Sequence, residues 1–311
     1  MITDLFTLNV LVGVLTSGVR LATSYLYAAI GETFGQISGV LNLGVEGIML
    51  VAAYAAYYVV LQTGSLELGL LAAMIVGAAM GLLTAFISVT LKAEQGISGI
   101  GIYLFGLGLS DLLFRVTVKS IQTVKGFPNI QIPVLSNIPI LGGILFDQNA
   151  LVYGAFALVP VAWFVLNKTT FGLMVRSVGQ NPEAADSLGI SVARIRYATV
   201  ILGGILSGVA GASLSIALLN VFQQNLTAGQ GFIAVALVYF GAWKPFRVMV
   251  GCLLFSMVNA LQLWIQTLGI PLPSDIALMM PYVLTIVALI FAARQIVIQP
   301  AALTKPFERG E

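Results

Sequence analysis

The sequence predicts an all-α membrane protein, a polytopic bundle of about 8–10 transmembrane helices. Of its 311 residues, 59% are hydrophobic and only 8% are charged, and the mean hydropathy is +1.02. A single core surrounded by water cannot bury so much apolar surface, so lipid must be the solvent for much of the chain. The net charge of +2 is small and dispersed, which excludes the clustered basic face of a nucleic-acid-binding protein.

Apolar segments that approach the length needed to cross ~30 Å of hydrocarbon recur along the chain. We predict spans at 9–30, 37–61, 67–91, 97–118, 149–167, 197–220, 231–243, 246–268 and 276–294. The seventh is too short for a straight crossing, which predicts a broken or re-entrant helix enclosed by the bundle. Since no low-complexity linker divides the sequence, residues 1–311 are predicted to form one transmembrane domain.

The distribution of basic residues predicts the orientation, because lysine and arginine accumulate in short cytoplasmic loops. With the 168–196 loop inside, ten of the basic residues fall on the inner side: Lys92, Lys168, Arg176, Arg194, Arg196, Lys244, Arg247, Arg294, Lys305 and Arg309. Only Lys119 and Lys125 fall in an outer loop. The N-terminus is therefore predicted outside and the C-terminus inside.

Two loops are long enough to carry function. The external loop, about 119–148, holds Pro128, Pro133, Pro139 and the pair Gly142-Gly143, which predicts an irregular structure packed over the mouth of the bundle. Its role is a docking surface, a lid or a plain connector.

The cytoplasmic loop, about 169–190, predicts a short helix outside the membrane. Asn181 is a good N-cap, Pro182 suits the first helical position, and Gly189 fits the C-terminal stop. A helix from 182 to 188 gains little stability from its own hydrogen bonds. It must therefore pack against a surface, either the membrane face of its own chain or a partner protein.

Three glycine pairs have the G-x-x-x-G spacing of close helix contacts: Gly35/Gly39, Gly77/Gly81 and Gly204/Gly208. The spacing predicts close packing but identifies no partner helix.

Two charged residues fall inside predicted spans at similar depth, Arg20 and Glu46. Each alone would cost at least ~2.5 kcal/mol at mid-membrane, so we predict an ion pair between them. The pair either locks two helices or lines a pathway, and Asn42, one turn before Glu46 on the same face, favours the pathway. Asp111 and Arg115 form a second couple at i, i+4, which we interpret as structural.

Several polar and aromatic residues in or near the spans can hydrogen-bond to a small solute or stack on it. Stacking suits a nucleobase because its π face is large. The candidate pathway residues are Asn42, Glu46, Gln95, Ser98, Gln224, Asn225, Gln230, Phe232, Asn259 and Trp264. Glutamine and asparagine in spans also join helices, so the group is stronger evidence than any member.

The composition argues against catalysis in water. The chain has no histidine, and its single cysteine, Cys252, lies in an apolar run, so neither a histidine base nor a thiolate metal cluster is expected. It contains no G-x-x-x-x-G-K-[ST] phosphate loop. We therefore predict no catalytic residue, no metal site and no cofactor in this chain.

A specific resemblance lies in the cytoplasmic loop, which reads Phe171-Gly-Leu-x-x-Arg176-x-x-Gly179-x-Asn181-Pro182-x-Ala184-Ala185-x-x-x-Gly189-Ile190. This stretch resembles the coupling loop of ABC importer permeases of the branched-chain amino acid, ribose and nucleoside group. In that group the loop docks into a groove of the cytoplasmic ATPase. The resemblance implies coupling roles for Gly172, Arg176, Gly179, Asn181, Pro182, Ala184, Ala185 and Gly189.

Two further stretches resemble the nucleoside-type permeases of this group. They are Gly31-Glu32 with Ser38-Gly39-Val40-Leu41-Asn42-Leu43-Gly44-Val45-Glu46-Gly47, and Ala228-Gly-Gln-Gly-Phe232-x-Ala234-x-Ala236. The resemblance thus runs over nearly the whole chain. It implies the permease subunit of an importer for nucleosides or a similar small polar solute, such as a purine or pentose.

The resemblance also implies partners. These are a cytoplasmic ATP-binding subunit that uses the ATP, a second permease chain, an external solute-binding protein and the bilayer of a bacterial inner membrane. ATPase closure would move the 169–190 loop and reopen the bundle to the other side. The alternatives are an ion-coupled secondary transporter, which would usually show more intramembrane acids, and a lipid-modifying enzyme, which would need a convergent catalytic set.

Overall fold

The computed structural model describes residues 8–133, 135–268, 279–280, 283, 286–287 and 299–308. Within these ranges the chain forms α1 (Leu8–Ile37), α2 (Val45–Thr63), α3 (Leu66–Ala85), α4 (Gln95–Thr117), α5 (Leu141–Leu145), α6 (Ala150–Lys168), α7 (Thr170–Gln180), α8 (Pro182–Ser187), α9 (Val192–Ser213), α10 (Gln230–Phe240) and α11 (Pro245–Thr267). Two short strands, β1 (Asn129–Gln131) and β2 (Asp147–Asn149), lie between α4 and α6. Each of α3 and α9 continues into a π-helical turn, Phe86–Thr90 and Leu214–Leu218.

Seven helices of the described residues are long and apolar enough to cross a membrane: α1, α2, α3, α4, α6, α9 and α11. They correspond to seven of the predicted spans, which confirms the helical membrane bundle. The seventh predicted segment forms α10, whose 11 residues confirm that it is too short for a straight crossing. The predicted span at 276–294 lies, apart from a few positions, outside the described residues.

The boundary between the first two predicted spans is wrong. We predicted a break at 31–36, but α1 continues to Ile37 and the non-helical stretch is 38–44. The polar side chains of 31–36 find partners without a break in the helix, since Gln36 Nε2 donates to Glu32 Oε1 at 3.1 Å. The helix ends where Gly39 adopts a φ of +97°, a left-handed conformation that favours glycine.

The external loop is more regular than predicted. β1 and β2 pair antiparallel, with Asn129 opposite Asn149 and Gln131 opposite Asp147, and α5 lies between the strands. The ladder supplies the backbone partners that an irregular loop would lack. It also positions α6, because Asn149 Oδ1 accepts the backbone N–H of Val152 at 3.1 Å and caps that helix.

The α3–α9 contact explains two of the glycine pairs. A Cβ added to Gly81 would lie 3.1 Å from Gly204 Cα, and one added to Gly77 would lie 3.1 Å from Gly208 Cα. The two G-x-x-x-G motifs therefore face each other and let the backbones approach closely, as packing without a hydrophobic driving force requires. Gly35 is not part of such a contact between helices, since the nearest atom to an added Cβ is the carbonyl oxygen of Val40, five positions later in the sequence.

α1 and α9 form the centre of the bundle. α1 packs against α9, α11, α10 and α6, while α2 packs against α3, α9, α4 and α10. Since both α1 and α2 contact α10, the beginnings of α2 and α10 are brought together inside the protein.

Candidate functional site

Two interrupted helices meet inside the bundle. α2 begins after the non-helical residues 38–44, and α10 begins after the non-helical residues 219–229. Irregular backbone at membrane depth is tolerated where protein encloses it, and residues 38–44 are buried or half-buried throughout. The helix N-termini at this junction provide donors and positive dipole ends.

The Glu46 carboxylate joins the two helix starts. It is fully buried, and its Oε1 accepts the Thr227 hydroxyl at 2.5 Å and the Gly229 N–H at 2.7 Å. Its Oε2 accepts the Gly231 N–H at 2.5 Å. Because Glu46 lies in the first turn of α2 and caps α10, both helix dipoles stabilise its negative charge.

The predicted Arg20–Glu46 pair is wrong. Arg20 Nε donates instead to Gln148 Oε1 of β2, at 2.9 Å. The physical reason is the longer α1: because the helix ends at Ile37 and not at residue 30, Arg20 lies about 10 Å farther from the inner end than predicted. Arg20 therefore holds the external hairpin, and Glu46 is satisfied by backbone donors.

A second polar junction lies nearer the inner side. Trp243 Nε1 donates to Gln36 Oε1 at 2.8 Å, and Glu32 Oε1 accepts the backbone N–H of Asn42 at 2.9 Å as well as the Gln36 amide. These buried side chains link the end of α1, the 38–44 stretch and the turn between α10 and α11. The sequence motif contains Glu32, but no pattern in it indicates that Gln36 and Trp243 would join this carboxylate.

The predicted pathway residues fall into separate settings. Asn42 and Gln95 stabilise the 38–44 stretch: Asn42 Oδ1 accepts the Gly44 N–H at 2.9 Å, and Gln95 Oε1 accepts the Leu41 N–H at 2.8 Å. Gln230 Oε1 accepts the Ser24 hydroxyl at 2.7 Å, beside Glu46. Asn259 and Trp264 lie on α11, which packs mainly against α1, and Trp264 Nε1 donates to Ser17 Oγ at 3.3 Å.

Two of the remaining candidates, Phe232 and Gln224, contact the edge of α4 that carries Tyr103 and Asp111. The ring of Phe232 meets that of Tyr103 edge-on, with centroids 5.0 Å apart. Nearer the outer end, Gln224 donates to Asp111, whose carboxylate also pairs with Arg115 at 3.0 Å. Ser98 lies half-buried on the same helix, and Asn225 is exposed beside Gln224.

The Asp111–Arg115 pair forms as predicted, but it faces outward. The Arg115 side chain is 65% exposed within a helix that is long enough to span the membrane. Charged groups on spans rarely face lipid and almost always face a water-filled cavity or another protein element. Arg115 lies in the last turn of α4, where a long basic side chain also reaches the headgroup region, so the pair marks a polar outer end of this edge.

The cytoplasmic loop contains two helices where we predicted one. α8 (Pro182–Ser187) matches the predicted helix, and Asn181 Oδ1 caps it by accepting the Ala184 N–H at 2.9 Å. Gly189 ends it with a φ of +83°. The additional α7 (Thr170–Gln180) buries Val175 and Val178, a spacing that could have indicated an amphipathic helix.

The glycines of this loop have distinct roles. Gly172 and Gly179 are buried, and a Cβ at either would overlap a backbone carbonyl oxygen, that of Val165 or of Ile37 respectively. Gly179 thus fixes α7 against the end of α1. Gly189 has open space around it, so only its left-handed backbone requires glycine.

The outer surface of α7 and α8 carries apolar groups. Leu188 is 81% exposed and Leu173 is also exposed, whereas Ala185 is buried against Val178 and Val192. Ala184 is exposed next to the cap. Arg176 lies apart from Leu188, since its side chain lines a groove shared with residues 242–247.

Arg196 is a buried residue that the sequence analysis placed simply among the inner basic residues. It is 2% exposed; its Nε donates to the Ser38 carbonyl at 3.2 Å and its Nη1 to the Lys305 carbonyl at 3.0 Å. Nη2 has no hydrogen-bond partner among the described residues. Arg196 thus joins α9 to the 38–44 stretch and to the C-terminal residues.

The C-terminal residues 299–308 form a strap across the end of the bundle that carries α7 and α8. The Ala302 N–H donates to the Gly179 carbonyl at 2.9 Å, and the Thr304 N–H donates to the Gly39 carbonyl at 3.1 Å. Phe307 packs against the buried cluster of Val178, Ala185 and Val192. The strap therefore contacts both the α7–α8 segment and the interruption before α2.

Glu94 is the clearest electrostatic feature outside the spans. Its carboxylate caps α4 by accepting the N–H groups of Ile97 at 2.5 Å and Gly96 at 2.9 Å, and these bonds lower its pKa.

Among the described residues no group of three or more acidic or cysteine side chains is placed to hold a metal ion.

Comparison with known proteins gives a consistent family. Residues 14–289 match the family described as branched-chain amino acid transport system / permease component. TsgC13 of Haloferax volcanii, an ABC transporter permease protein named provisionally for glucose, is 40% identical over 84% of this chain and 80% of its own length. No solved structure matches.

Two bacterial relatives are named for nucleosides. The nucleoside ABC transporter permease protein NupC of Lactococcus lactis is 38% identical, and the guanosine ABC transporter permease protein NupQ of Bacillus subtilis is 36% identical. Each alignment covers 86% of this chain and 88% of the relative. Each organism also has a second permease protein that is named for the same solute and is less similar to this chain. NupB of L. lactis is 30% identical over 110 residues, and NupP of B. subtilis is 27% identical over 268 residues.

Proposed function

Since the chain belongs to the branched-chain amino acid transport system permease family and is a multi-pass permease subunit of an ABC importer, we propose that its solute is a nucleoside. The names of NupC and NupQ support this solute class. The name of TsgC13 supports a second candidate, a hexose, because that relative is the most similar of the three described.

The observation that carries the proposal is the α4 edge. An aromatic pair, Tyr103 and Phe232, lies below a carboxylate and an amide, Asp111 and Gln224, on a surface that is partly exposed. Aromatic rings can stack on a nucleobase, and a carboxylate can accept hydrogen bonds from ribose hydroxyls. We propose that this edge lines the pathway and that the second permease closes it.

We propose that ATP drives the transport through a separate subunit. This sequence has no phosphate loop of its own. In the proposed mechanism α7 and α8 dock on a cytoplasmic ATP-binding subunit, and its closure moves the 169–190 segment. Through Gly179 and the strap, that movement reaches the 38–44 stretch and so α2, whose Glu46 holds α10.

The proposed partners are a second permease chain and an external solute-binding protein. L. lactis and B. subtilis each have two permease proteins named for one solute class, which supports a partner chain different from this one. The proposed location is a bacterial inner membrane.

Uptake into vesicles tests the proposed solute directly. The vesicles contain this chain with its co-encoded subunits and receive labelled uridine, adenosine, free bases, ribose, glucose and a branched-chain amino acid, with and without ATP. We expect ATP-dependent uptake of nucleosides. ATP-dependent uptake of glucose alone would replace the nucleoside by the hexose, and uptake that follows an ion gradient without ATP would refute the ABC mechanism.

Replacing Leu188 by serine tests the docking surface. An exposed leucine on a short capped helix offers apolar surface that a partner can bury, worth about 1.5–3 kcal/mol, so we expect the variant to lose ATPase binding at least about tenfold. Co-purification of the ATP-binding subunit measures the loss. Leu71→Ser is the matched control, since Leu71 is also an exposed leucine but lies on α3 within a span. If L188S retained as much of the ATP-binding subunit as the wild-type chain does, the docking role would be contradicted.

A further inference from the structure

A groove of about 760 Å³ collects three basic side chains from separate parts of the cytoplasmic side. Arg176 comes from α7, Lys244 from the turn after α10, and Arg247 from the start of α11. All three are exposed, and no acidic residue of the described chain lines the groove. A general excess of basic residues inside does not require such convergence, because it is satisfied by cations spread over the loops.

The groove opens next to an apolar, outward-facing surface. Trp163 and Phe246 line its edge with ring centroids 6.2 Å apart, and both are exposed. Aromatic residues of this kind are enriched where a span meets the headgroup region. Farther into the spans, α6 exposes Val161 and α11 exposes Val250 and Leu254. A cationic groove is therefore continuous with a surface suited to acyl chains.

We propose that this groove binds the headgroup of an anionic glycerophospholipid of the inner leaflet. The phosphate would sit among Arg176, Lys244 and Arg247, where guanidinium groups can donate paired hydrogen bonds to its oxygens. The acyl chains would lie over Val250 and Leu254. Basic pockets between membrane helices on the cytoplasmic side are suited to such headgroups.

The groove lies between elements that a bound lipid could hold together. Ile37 at the end of α1, Trp243 and Pro300 of the strap also line it. Trp243 already donates to Gln36, so its indole belongs to the inner polar junction and not to the phosphate. A lipid in the groove would thus brace α7, α11 and the strap against one another.

The test is lipid selectivity of the full-length chain in complex with its co-encoded subunits. The protein is reconstituted in nanodiscs of equimolar phosphatidylglycerol and phosphatidylcholine, and native mass spectrometry counts the lipids that it retains. In Lys244→Gln/Arg247→Gln we expect the preference for phosphatidylglycerol to fall about 30-fold, which corresponds to about 1 kcal/mol for each removed cation. Lys168→Gln/Arg194→Gln, which removes two exposed inner cations outside the groove, should keep the preference.

Three outcomes would overturn the proposal. The first is an equal loss of selectivity in both double variants, because it would mean general surface attraction. The second is loss of the retained phosphatidylglycerol when inorganic phosphate alone is added, because the groove would then be a site for free anions. The third is loss of a protein subunit from the Lys244→Gln/Arg247→Gln complex with unchanged lipid retention, because carboxylates of that subunit would then be the occupant.

Discussion

Replacing Glu46 by glutamine is expected to lower uptake at least about tenfold and to destabilise the folded chain by about 2–4 kcal/mol. The amide can still accept the Thr227 hydroxyl and the Gly229 N–H through one oxygen. Its NH₂ group, however, would face the Gly231 N–H, a donor against a donor, and the charge that both helix dipoles stabilise would be lost. Uptake per folded chain and the thermal midpoint in detergent measure the two effects.

The matched control is Glu67→Gln, which makes the same change at an exposed position in the first turn of α3. It should leave uptake and thermal midpoint close to wild type. Arg20→Gln distinguishes the observed cap of α10 from the predicted Arg20–Glu46 pair. If the two residues were partners, Arg20→Gln and Glu46→Gln would give the same defect. Among the described residues Arg20 donates to Gln148 of the external hairpin, so its substitution should spare the α2–α10 junction. Wild-type stability of E46Q would refute the role of Glu46 as the cap of α10.

The helix boundaries show where hydropathy is sufficient and where it is not. The long spans are predictable because lipid demands a continuous apolar helix, and α3, α4 and α11 begin and end within a few residues of their predicted positions. The end of α1 is not predictable this way, because the polar residues Glu32, Thr33 and Gln36 fall before the true break, while the non-helical stretch 38–44 is largely apolar and small. The sequence signal for this helix end is Gly39, because a glycine in the left-handed conformation commonly terminates a helix. The Gly35/Gly39 spacing instead suggests a helix contact, which hides that signal.

The polar sites show a similar division. The cap residues of α8 are local, so Asn181 and Pro182 were predictable from neighbours a few positions away. Glu46 was recognised as costly in the membrane, but its donors come from residues 227–231, far along the chain, and two of them are backbone groups that no side-chain pattern shows. A charged partner was therefore assumed where helix ends supply the hydrogen bonds.

Arg196 illustrates the same limit more strongly. The rule for orientation counts it only as one of the inner loop cations. Its acceptors are two carbonyl oxygens, of Ser38 and Lys305, which belong to segments 158 and 109 positions away. Only the three-dimensional arrangement makes it the residue that joins α9, the interruption before α2 and the C-terminal strap.

Replacing Arg196 by alanine is accordingly expected to release the strap and to uncouple transport. The substitution leaves the buried Ser38 carbonyl and the part-buried Lys305 carbonyl without their donor, while it also removes the unfavourable burial of a charge, so we expect a net loss of about 1–3 kcal/mol. Hydrogen exchange reports it locally, since the Ala302 and Thr304 amides donate to Gly179 and Gly39 only while the strap is seated. Both amides should lose protection, and ATP-driven uptake should fall more than the amount of assembled complex.

Arg194→Ala provides the comparison, because Arg194 is exposed on the same helix two positions earlier and its loss removes the same charge from the same side. Protection of Ala302 and Thr304 should persist in that variant. If R196A kept this protection yet failed in uptake, the strap would not be the element that connects the α7–α8 segment to the interruption before α2. The direct packing of α7 on the end of α1, where Gly179 meets the Ile37 carbonyl, would then remain as the connection.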